Sequence, residues 1–386
     1  MAETWRRVKT FLSKFKDLTY VGIGNIAGTA ILSIFWIFLA SILEPNGYGQ
    51  ISYLIAIANI VSVIAFLGAG QMIIVYTAKG FKIQPVIYTL TLIAGIISAT
   101  IVFLLQNSIE VSLYVIGYII FGLVTHEILG AKMYGRYAKF MISQRIILVT
   151  LALLFYYSFG INGIVLGYAI SFFPYSIFLY RGFKGSKIDF SQLKQKIKFM
   201  MNNYGREFSK ILSRSLDKLI ILPIFGATVL GNYQLAYQVL MVLTILPSIT
   251  YQYVLPRQAS GQQNKKIVGL TIIASIVLSL MVLLTTPILL PIVFPKYEES
   301  LDIIQIMSLA IIPTTISLMY ISKFLALEKT RHVIISAVIF LAVQISGIMV
   351  LGDIYEIQGL AVATLLAAIT EAVYLSVIYR VCYYSK

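Results

Sequence analysis

Residues 267–292 read IVGLTIIASIVLSLMVLLTTPILLPI, 26 positions without a charge. A helix needs only about 20 apolar residues to cross a bilayer. Working outward from this run, eleven further segments of the same kind appear. The spans fall at roughly 18–43, 50–76, 85–105, 112–130, 138–159, 163–180, 203–226, 233–255, 267–292, 301–325, 333–351 and 359–379. The whole chain of 386 residues is 59% hydrophobic and only 12% charged, and its mean hydropathy is +0.89. A soluble domain carries about 25% charged residues. Too few polar side chains remain to coat a water-soluble globule of this length. The expected class is therefore an all-α polytopic membrane protein of 12 transmembrane helices. The longest connection, RGFKGSKIDFSQLKQKIKFMMN over 181–202, is basic and lies near the midpoint. No extramembrane domain fits in the connections.

The formal charge is +15, from 30 Lys and Arg against 15 Asp and Glu. With the N-terminus inside, 24 of the 30 basic residues fall on inner segments and one, Lys296, on an outer loop. The outer loops carry Glu44, Glu110, Glu298, Glu299, Asp302, Asp353 and Glu356 instead. This asymmetry predicts cytoplasmic N- and C-termini by the positive-inside rule. Most of the basic excess is thus a topology signal, and nucleic acid is not an expected partner. In MAETWRRVKTFLSKFKD, residues 1–17, Trp5, Val8, Phe11, Leu12 and Phe15 recur at helical spacing among basic residues. That pattern fits an interfacial amphipathic helix rather than a signal peptide, with a disordered basic tail as the alternative. A single cysteine, Cys382, and two histidines, His126 and His332, allow neither an internal disulfide nor a Cys/His metal cluster. No cofactor or metal is expected.

The chain also repeats itself. GYGQISY at 47–53 aligns with GNYQLAY at 231–237, an offset of 184. INGIVLGYAIS from Ile161 aligns with IQGLAVATLLA from Ile357, and each half closes on a Tyr-Arg pair, Tyr180-Arg181 and Tyr379-Arg380. Six spans repeated twice give an N-terminal bundle over 1–198 and a C-terminal bundle over 199–386. Six is even, so the copies enter from the same side and the repeats are parallel. A substrate path is then expected between the bundles.

Ionisable residues inside spans are costly and mark function by default. Span 7, NNYGREFSKILSRSLDKLIILPIFG, carries Arg206, Glu207, Lys210, Arg214, Asp217 and Lys218. At 100° per residue these fall within an arc of about 120°. The stripe is net positive and suits an anionic headgroup, because arginine forks onto phosphate and lysine meets it as a point charge. The bland account has Arg206 to Lys210 snorkelling to the interface and Arg214, Asp217 and Lys218 in salt bridges between helices. The candidate headgroup residues are therefore Arg214, Lys218, Lys210 and Arg206, with Asp217 a structural partner of a cation. Glu127 and Arg145 are expected to pair and hold two helices together. Glu371, alone near the middle of span 12, either couples to a proton or cation or pairs structurally. Asn25, Asn59, Gln71, Gln144, Gln305 and Gln344 are expected to bond between helices. Pro174, Pro247 and Pro313 lie inside spans and kink them.

The chain resembles the polysaccharide-flippase branch of the multidrug/oligosaccharidyl-lipid/polysaccharide (MOP, MATE-like) exporter superfamily. The carriers are LEPNGYGQISY after span 1, LDKLIILPIFGATVLGNYQLAY across spans 7 and 8, and the two-by-six layout. Glu44-Pro45 replaces the Leu-Gly usual at the first turn, while Asp217, Gly231 and Tyr233 keep the pattern of the second. The resemblance implies a flippase for polyprenyl-linked oligosaccharides in the cytoplasmic membrane of a prokaryote, working by alternating access with lipid-linked oligosaccharide and membrane lipid as partners. The alternative on the same fold is a drug or small-molecule/cation antiporter, which needs an acidic residue in the cavity, Asp217 or Glu371. The resemblance also implies cations on the first helix of each bundle. Span 1 has none, so the cationic side rests on span 7. A membrane enzyme is not expected, because the outer loops are short and carry no D-x-D.

Overall fold

The computed structural model describes residues 2–183, 197–262 and 264–383, and among these every regular element is helical. Nine stretches of the described residues are long and apolar enough to cross a membrane, so this is a multi-pass membrane protein. The helices are α1 (Ala2–Ile42), α2 (Pro45–Phe66), α3 (Ala69–Ala78), α4 (Gln84–Gln106), α5 (Ile109–Gly130) and α6 (Tyr134–Ile170). After a short 3-10 turn, Phe173–Tyr175, come α7 (Ser176–Phe183), α8 (Ile197–Phe225), α9 (Ala227–Leu243), α10 (Ile245–Ala259) and α11 (Lys265–Val293). The chain ends with α12 (Ser300–Leu309), α13 (Ile311–Ala326) and α14 (Thr330–Tyr383). The side chains of residues 1–19 and the linker 184–196 lie outside the described residues, and with them the expected amphipathic face.

Two of the apolar stretches, of 47 and 52 residues, are too long for one crossing. Each folds back at one residue with positive φ: Gly160 (φ 62°, ψ −141°) in α6 and Glu356 (φ 50°, ψ −130°) in α14. These positions are 196 apart, the offset of the second sequence repeat. The match continues in the packing. A Cβ at Gly163 would strike the Phe155 carbonyl, and one at Gly359 would strike that of Leu351, again 196 residues on. Both glycines are required by close backbone approach.

Glycines within the first pair of matched segments meet each other in space. Gly49 lies against the backbone of Ala227 and Gly231, and Gly231 lies against that of Pro45. The first turns of α2 and α9 thus cross at their glycines, where a side chain on either would separate them. Beside the crossing, the Tyr48 hydroxyl donates to the Trp36 carbonyl, 3.1 Å.

Three expected spans are interrupted, two of them beside the prolines expected to kink them. Span 50–76 is interrupted between α2 and α3 at Leu67 (φ 53°) and Gly68 (φ 71°). Gly68 faces Met200 and Tyr204 of α8 so closely that a Cβ there would lie 2.6 Å from backbone atoms of both. Span 233–255 breaks at Thr244 and span 301–325 at Ala310. Pro247 and Pro313 stand in the first turn after these breaks, where the missing N–H costs nothing.

The chain forms two compact units. Unit 1 comprises 1–35 and 54–215, and unit 2 comprises 36–53 and 216–386. In unit 1, α5 packs against α3, α4 and α6. Its core holds Met72, Ile73, Ile87, Tyr88, Val115, Ile119 and Leu123, all fully buried. In unit 2, α13 packs against α10 and α14, and α9 against α12. Hydroxyl bonds stitch this unit together: Thr250 to Thr271 (3.0 Å), Ser275 to Thr315 (2.7 Å) and Ser322 to Gln258 (2.7 Å). Where lipid supplies no hydrophobic drive between helices, such bonds and small residues hold them together.

Candidate functional site

The deepest charges of the α8 stripe, Asp217 and Lys218, lie in unit 2 and are buried, at 4% and 6% exposure. Neighbours at i and i+1 on a helix diverge by 100°. The lysine side chain nevertheless curls back, placing Nζ 3.2 Å from each Asp217 oxygen. The Lys218 backbone N–H adds a third bond to Oδ1, 2.9 Å, and the Tyr233 hydroxyl donates to Oδ2, 3.0 Å. Behind Tyr233 stand Thr364 (3.2 Å) and the Gln344 amide (3.5 Å), both on α14. The Lys218 ammonium also lies 4.2 Å from the centroid of the Tyr237 ring, and the Tyr237 ring stacks on Tyr233. A cation–π contact of this kind strengthens where water is excluded. The cluster is an ion pair sealed by two tyrosines. The side chains of Arg206, Lys210 and Arg214 lie outside the described residues, while the helix itself is continuous through all three.

Unit 1 holds a second set of polar side chains, on α5 and α6, bonded to α2 and α1. Arg145 of α6 runs along α1 at Gly28, where a Cβ would lie 3.6 Å from its Cγ. Its Nε is buried and has no hydrogen-bond partner. The Tyr114 hydroxyl donates to Asn59 (2.9 Å), and the Tyr137 hydroxyl donates to Asn25 (3.0 Å). His126 Nδ1 sits 2.6 Å from the Gly122 carbonyl oxygen.

Glu127 and Arg145 do not pair, which corrects the expectation from the sequence. Glu127 takes its bond from the Tyr88 hydroxyl of α4, so it ties α5 to α4 rather than to α6. The phenol reaches a carboxylate that Arg145, facing α1, does not. Glu371 accepts from Ser336 across the α14 hairpin, 3.1 Å, and Ser317 of α13 adjoins it. Five of the six buried amides bond between helical segments as expected: Asn25 to Tyr137, Asn59 to Tyr114, Gln144 to Ser171, Gln305 to the Leu283 carbonyl and Gln344 to Tyr233.

Charge spacing alone did not single out Tyr118, Tyr233 or Tyr237. The signal was present as two i, i+4 tyrosine pairs, YVIGY at 114–118 and YQLAY at 233–237. Among the described residues, no group of three or more His, Cys, Asp or Glu is placed to hold a metal ion.

Residues 131–288 match the model of a family described as polysaccharide biosynthesis protein. No curated protein sequence matches the chain. Solved structures of the same fold do. A multidrug resistance MATE family transporter of the MOP superfamily, inward-facing, aligns over 94% of this chain and 94% of its own at 13% identity, TM-score 0.69. The lipid II flippase MurJ, inward closed, aligns over 94% of this chain and 87% of its own at 14% identity, TM-score 0.69. A MOP superfamily transporter from Pyrococcus furiosus, described as having a binding pocket of reverse polarity, aligns over 95% of each chain at 14% identity, TM-score 0.59. The chain thus shares the fold of these transporters and this flippase.

Proposed function

We propose that this chain is a flippase that moves a polyprenyl-(pyro)phosphate-linked oligosaccharide across the cytoplasmic membrane of a prokaryote by alternating access. One coincidence carries the reading. The segment matching the polysaccharide biosynthesis family, 131–288, contains the whole of α8, and α8 carries the charged stripe. Counting each folded apolar stretch as two crossings and adding α8 gives 12 spans. They divide into six-helix bundles over 1–198 and 199–386, with both termini cytoplasmic. Exposing a polar cavity to one side at a time spares the headgroup a passage through the low-dielectric core, while the lipid tail stays in the bilayer.

In this mechanism Arg206, Lys210, Arg214 and Lys218 receive the headgroup. Lys218 does so by exchanging an Asp217 oxygen for a phosphate oxygen, which keeps the ammonium paired throughout. Asp217 is its resting partner, held in place by Tyr233. The half-buried carboxyl of Glu371, bonded by Ser336, is the candidate for coupling to a proton or cation. A drug antiporter would need a free acidic site for a cationic drug. Asp217, whose two oxygens already meet Lys218 and Tyr233, fits that role poorly.

The test is reconstitution with a fluorescent polyprenyl-diphosphate oligosaccharide and a leaflet-accessibility assay. Transfer well above empty liposomes is expected, together with slower transfer in Arg214→Ala and Lys218→Ala at equal amounts of folded protein. No transfer above empty liposomes rejects the flippase, and unchanged rates in both variants reject the α8 site.

A further inference from the structure

Unit 1 contains a cavity of about 110 Å³ that the mechanism above does not use. It lies where α5 ends at Gly130 and α6 begins at Tyr134. Both helices are long and apolar enough to span, so their ends stand at the headgroup level of a bilayer. Val124, Ile128, Met133 and Phe178 give the cavity apolar walls, and Glu127 and Arg136, both half-buried, bring one charge of each sign. Among the described residues these two do not form an ion pair. Other groups hold each of them. The Arg136 guanidinium lies over the rings of Phe140 (5.9 Å) and Phe178 (5.5 Å), which are 4.9 Å apart. Glu127 takes the Tyr88 hydroxyl on Oε2, which leaves Oε1 without a protein donor among the described residues. The turn between the helices is tightly bonded. The Met133 N–H donates to the Ile128 carbonyl and the Lys132 N–H to that of Leu129, both at 3.0 Å. This seats Met133 on Ile128 and holds Lys132 at φ 60°, a conformation natural to glycine.

Unit 2 repeats this turn 196 residues on. Glu328 holds φ 59°, and the Lys329 N–H donates to the Phe324 carbonyl, 2.8 Å. There the chain's own groups meet one another. Lys323 takes the position of Glu127, with its ammonium 4.6 Å from the rings of both Tyr320 and Tyr379. His332 takes the position of Arg136, with Nδ1 3.4 Å from the Tyr374 hydroxyl. One backbone frame therefore carries a self-satisfied set in unit 2 and two opposite charges lining a cavity in unit 1. Opposite charges that line one cavity without meeting are complementary to a zwitterion. We propose that this cavity binds the headgroup of a zwitterionic phospholipid bearing a primary ammonium. Arg136 takes the phosphate as a fork, Glu127 accepts from the ammonium, and the apolar walls take the start of an acyl chain. A volume of about 110 Å³ is more than three times the roughly 30 Å³ that one water takes. A lipid seated here bridges α5, α6 and α7, because Glu127, Arg136 and Phe178 each come from a different one. The inference goes beyond the flippase reading and does not depend on it.

The test is lipid retention by the full-length protein, read by native mass spectrometry after equilibration with micelles containing phosphatidylethanolamine, phosphatidylcholine and phosphatidylglycerol. Phosphatidylethanolamine should be retained about fivefold over phosphatidylcholine, whose quaternary ammonium has no N–H to donate. Glu127→Gln keeps an acceptor for Tyr88, so it should fold normally and erase that preference. Arg136→Gln should weaken retention of all three lipids. If Arg136→Gln fails to fold, photo-crosslinking carries the test beside Glu127→Gln. A phosphatidylethanolamine with a diazirine at the top of its acyl chain should label residues 124–140 and spare their counterpart, 320–336. Equal retention of the three lipids by the wild type, as when water fills the cavity, overturns the proposal. A preference for phosphatidylglycerol, an unchanged preference in Glu127→Gln or equal labelling of the two segments overturns it as well. None of these outcomes bears on transfer of a lipid-linked oligosaccharide, which tests the flippase separately.

Discussion

Unit 1 and unit 2 each carry a pair of tyrosines one helical turn apart, and they use it in different ways. Tyr114 and Tyr118 lie 6.4 Å apart at 12°, and Tyr233 and Tyr237 lie 6.3 Å apart at 23°. In unit 2 the lysine is neutralised by the adjacent aspartate, and Tyr233 closes the pair. In unit 1 the Tyr114 hydroxyl donates to Asn59, 2.9 Å, and the buried Nε of Arg145 has no hydrogen-bond partner. The same local motif is thus tied to an ion pair in one unit and to an amide in the other.

The sharpest way to break this comparison is to remove one partner from each cluster. Asp217→Ala takes the carboxylate away from a buried ammonium, which should cost about 3–5 kcal/mol. We expect a large fall in the yield of monodisperse protein and in thermal stability in detergent. Adding Lys218→Met to Asp217→Leu should restore most of it, since replacing both members by apolar groups is near neutral. Arg145→Leu should behave in the opposite sense, leaving Tm unchanged or raising it by about 1 kcal/mol equivalent, because it removes a buried donor without a partner. Equal destabilisation by Asp217→Ala and Arg145→Leu would remove the distinction between the units.

The tyrosine hydroxyls offer a smaller and cleaner contrast. Tyr233→Phe deletes a donor to Asp217 and should cost about 1–2 kcal/mol. Tyr118→Phe deletes a hydroxyl that bonds nothing among the described residues and should change thermal stability by less than about 0.5 kcal/mol. Matched thermal unfolding of the two variants in one detergent checks the difference.

Much of this architecture was legible in the chain, and what was hidden has physical causes. An uncharged run such as 267–292 has one stable solution in a bilayer, so the spans follow from hydropathy. The repeat at offset 196 was legible as Gly163 and Gly359, because backbone contact leaves no choice of residue. The break at Leu67 was hidden, because both flanks are apolar and the cause is packing, Met200 against Gly68, whereas Pro247 announced the one at Thr244. Helical periodicity grouped Asp217 with Lys218 but not their partners. Thr364 lies 131 residues from the Tyr233 it bonds, and no local pattern encodes that. The expected Glu127–Arg145 pair failed because depth and charge sign ignore direction. Arg145 faces α1, and Tyr88 supplies a donor from another helix.

The two hairpins carry the comparison of the units to the backbone. Both turn at a residue in the same sparsely populated conformation, but unit 1 places a glycine there and unit 2 a glutamate. Gly160 adopts φ 62° and ψ −141° without a Cβ to obstruct it, whereas Glu356 holds φ 50° and ψ −130° against its own side chain. Such strain costs on the order of 1–3 kcal/mol. Replacing Glu356 by glycine removes the strain but returns about 0.5–1 kcal/mol to the unfolded chain as entropy. Glu356→Gly should therefore stabilise by a net of about 1 kcal/mol, and Gly160→Ala should destabilise by about the same. Thermal unfolding of the pair decides it. Destabilisation by Glu356→Gly would mean that the glutamate side chain contributes more to the hairpin than its backbone costs. The turn in unit 2 would then be held by that side chain, and only the turn in unit 1 by backbone conformation alone.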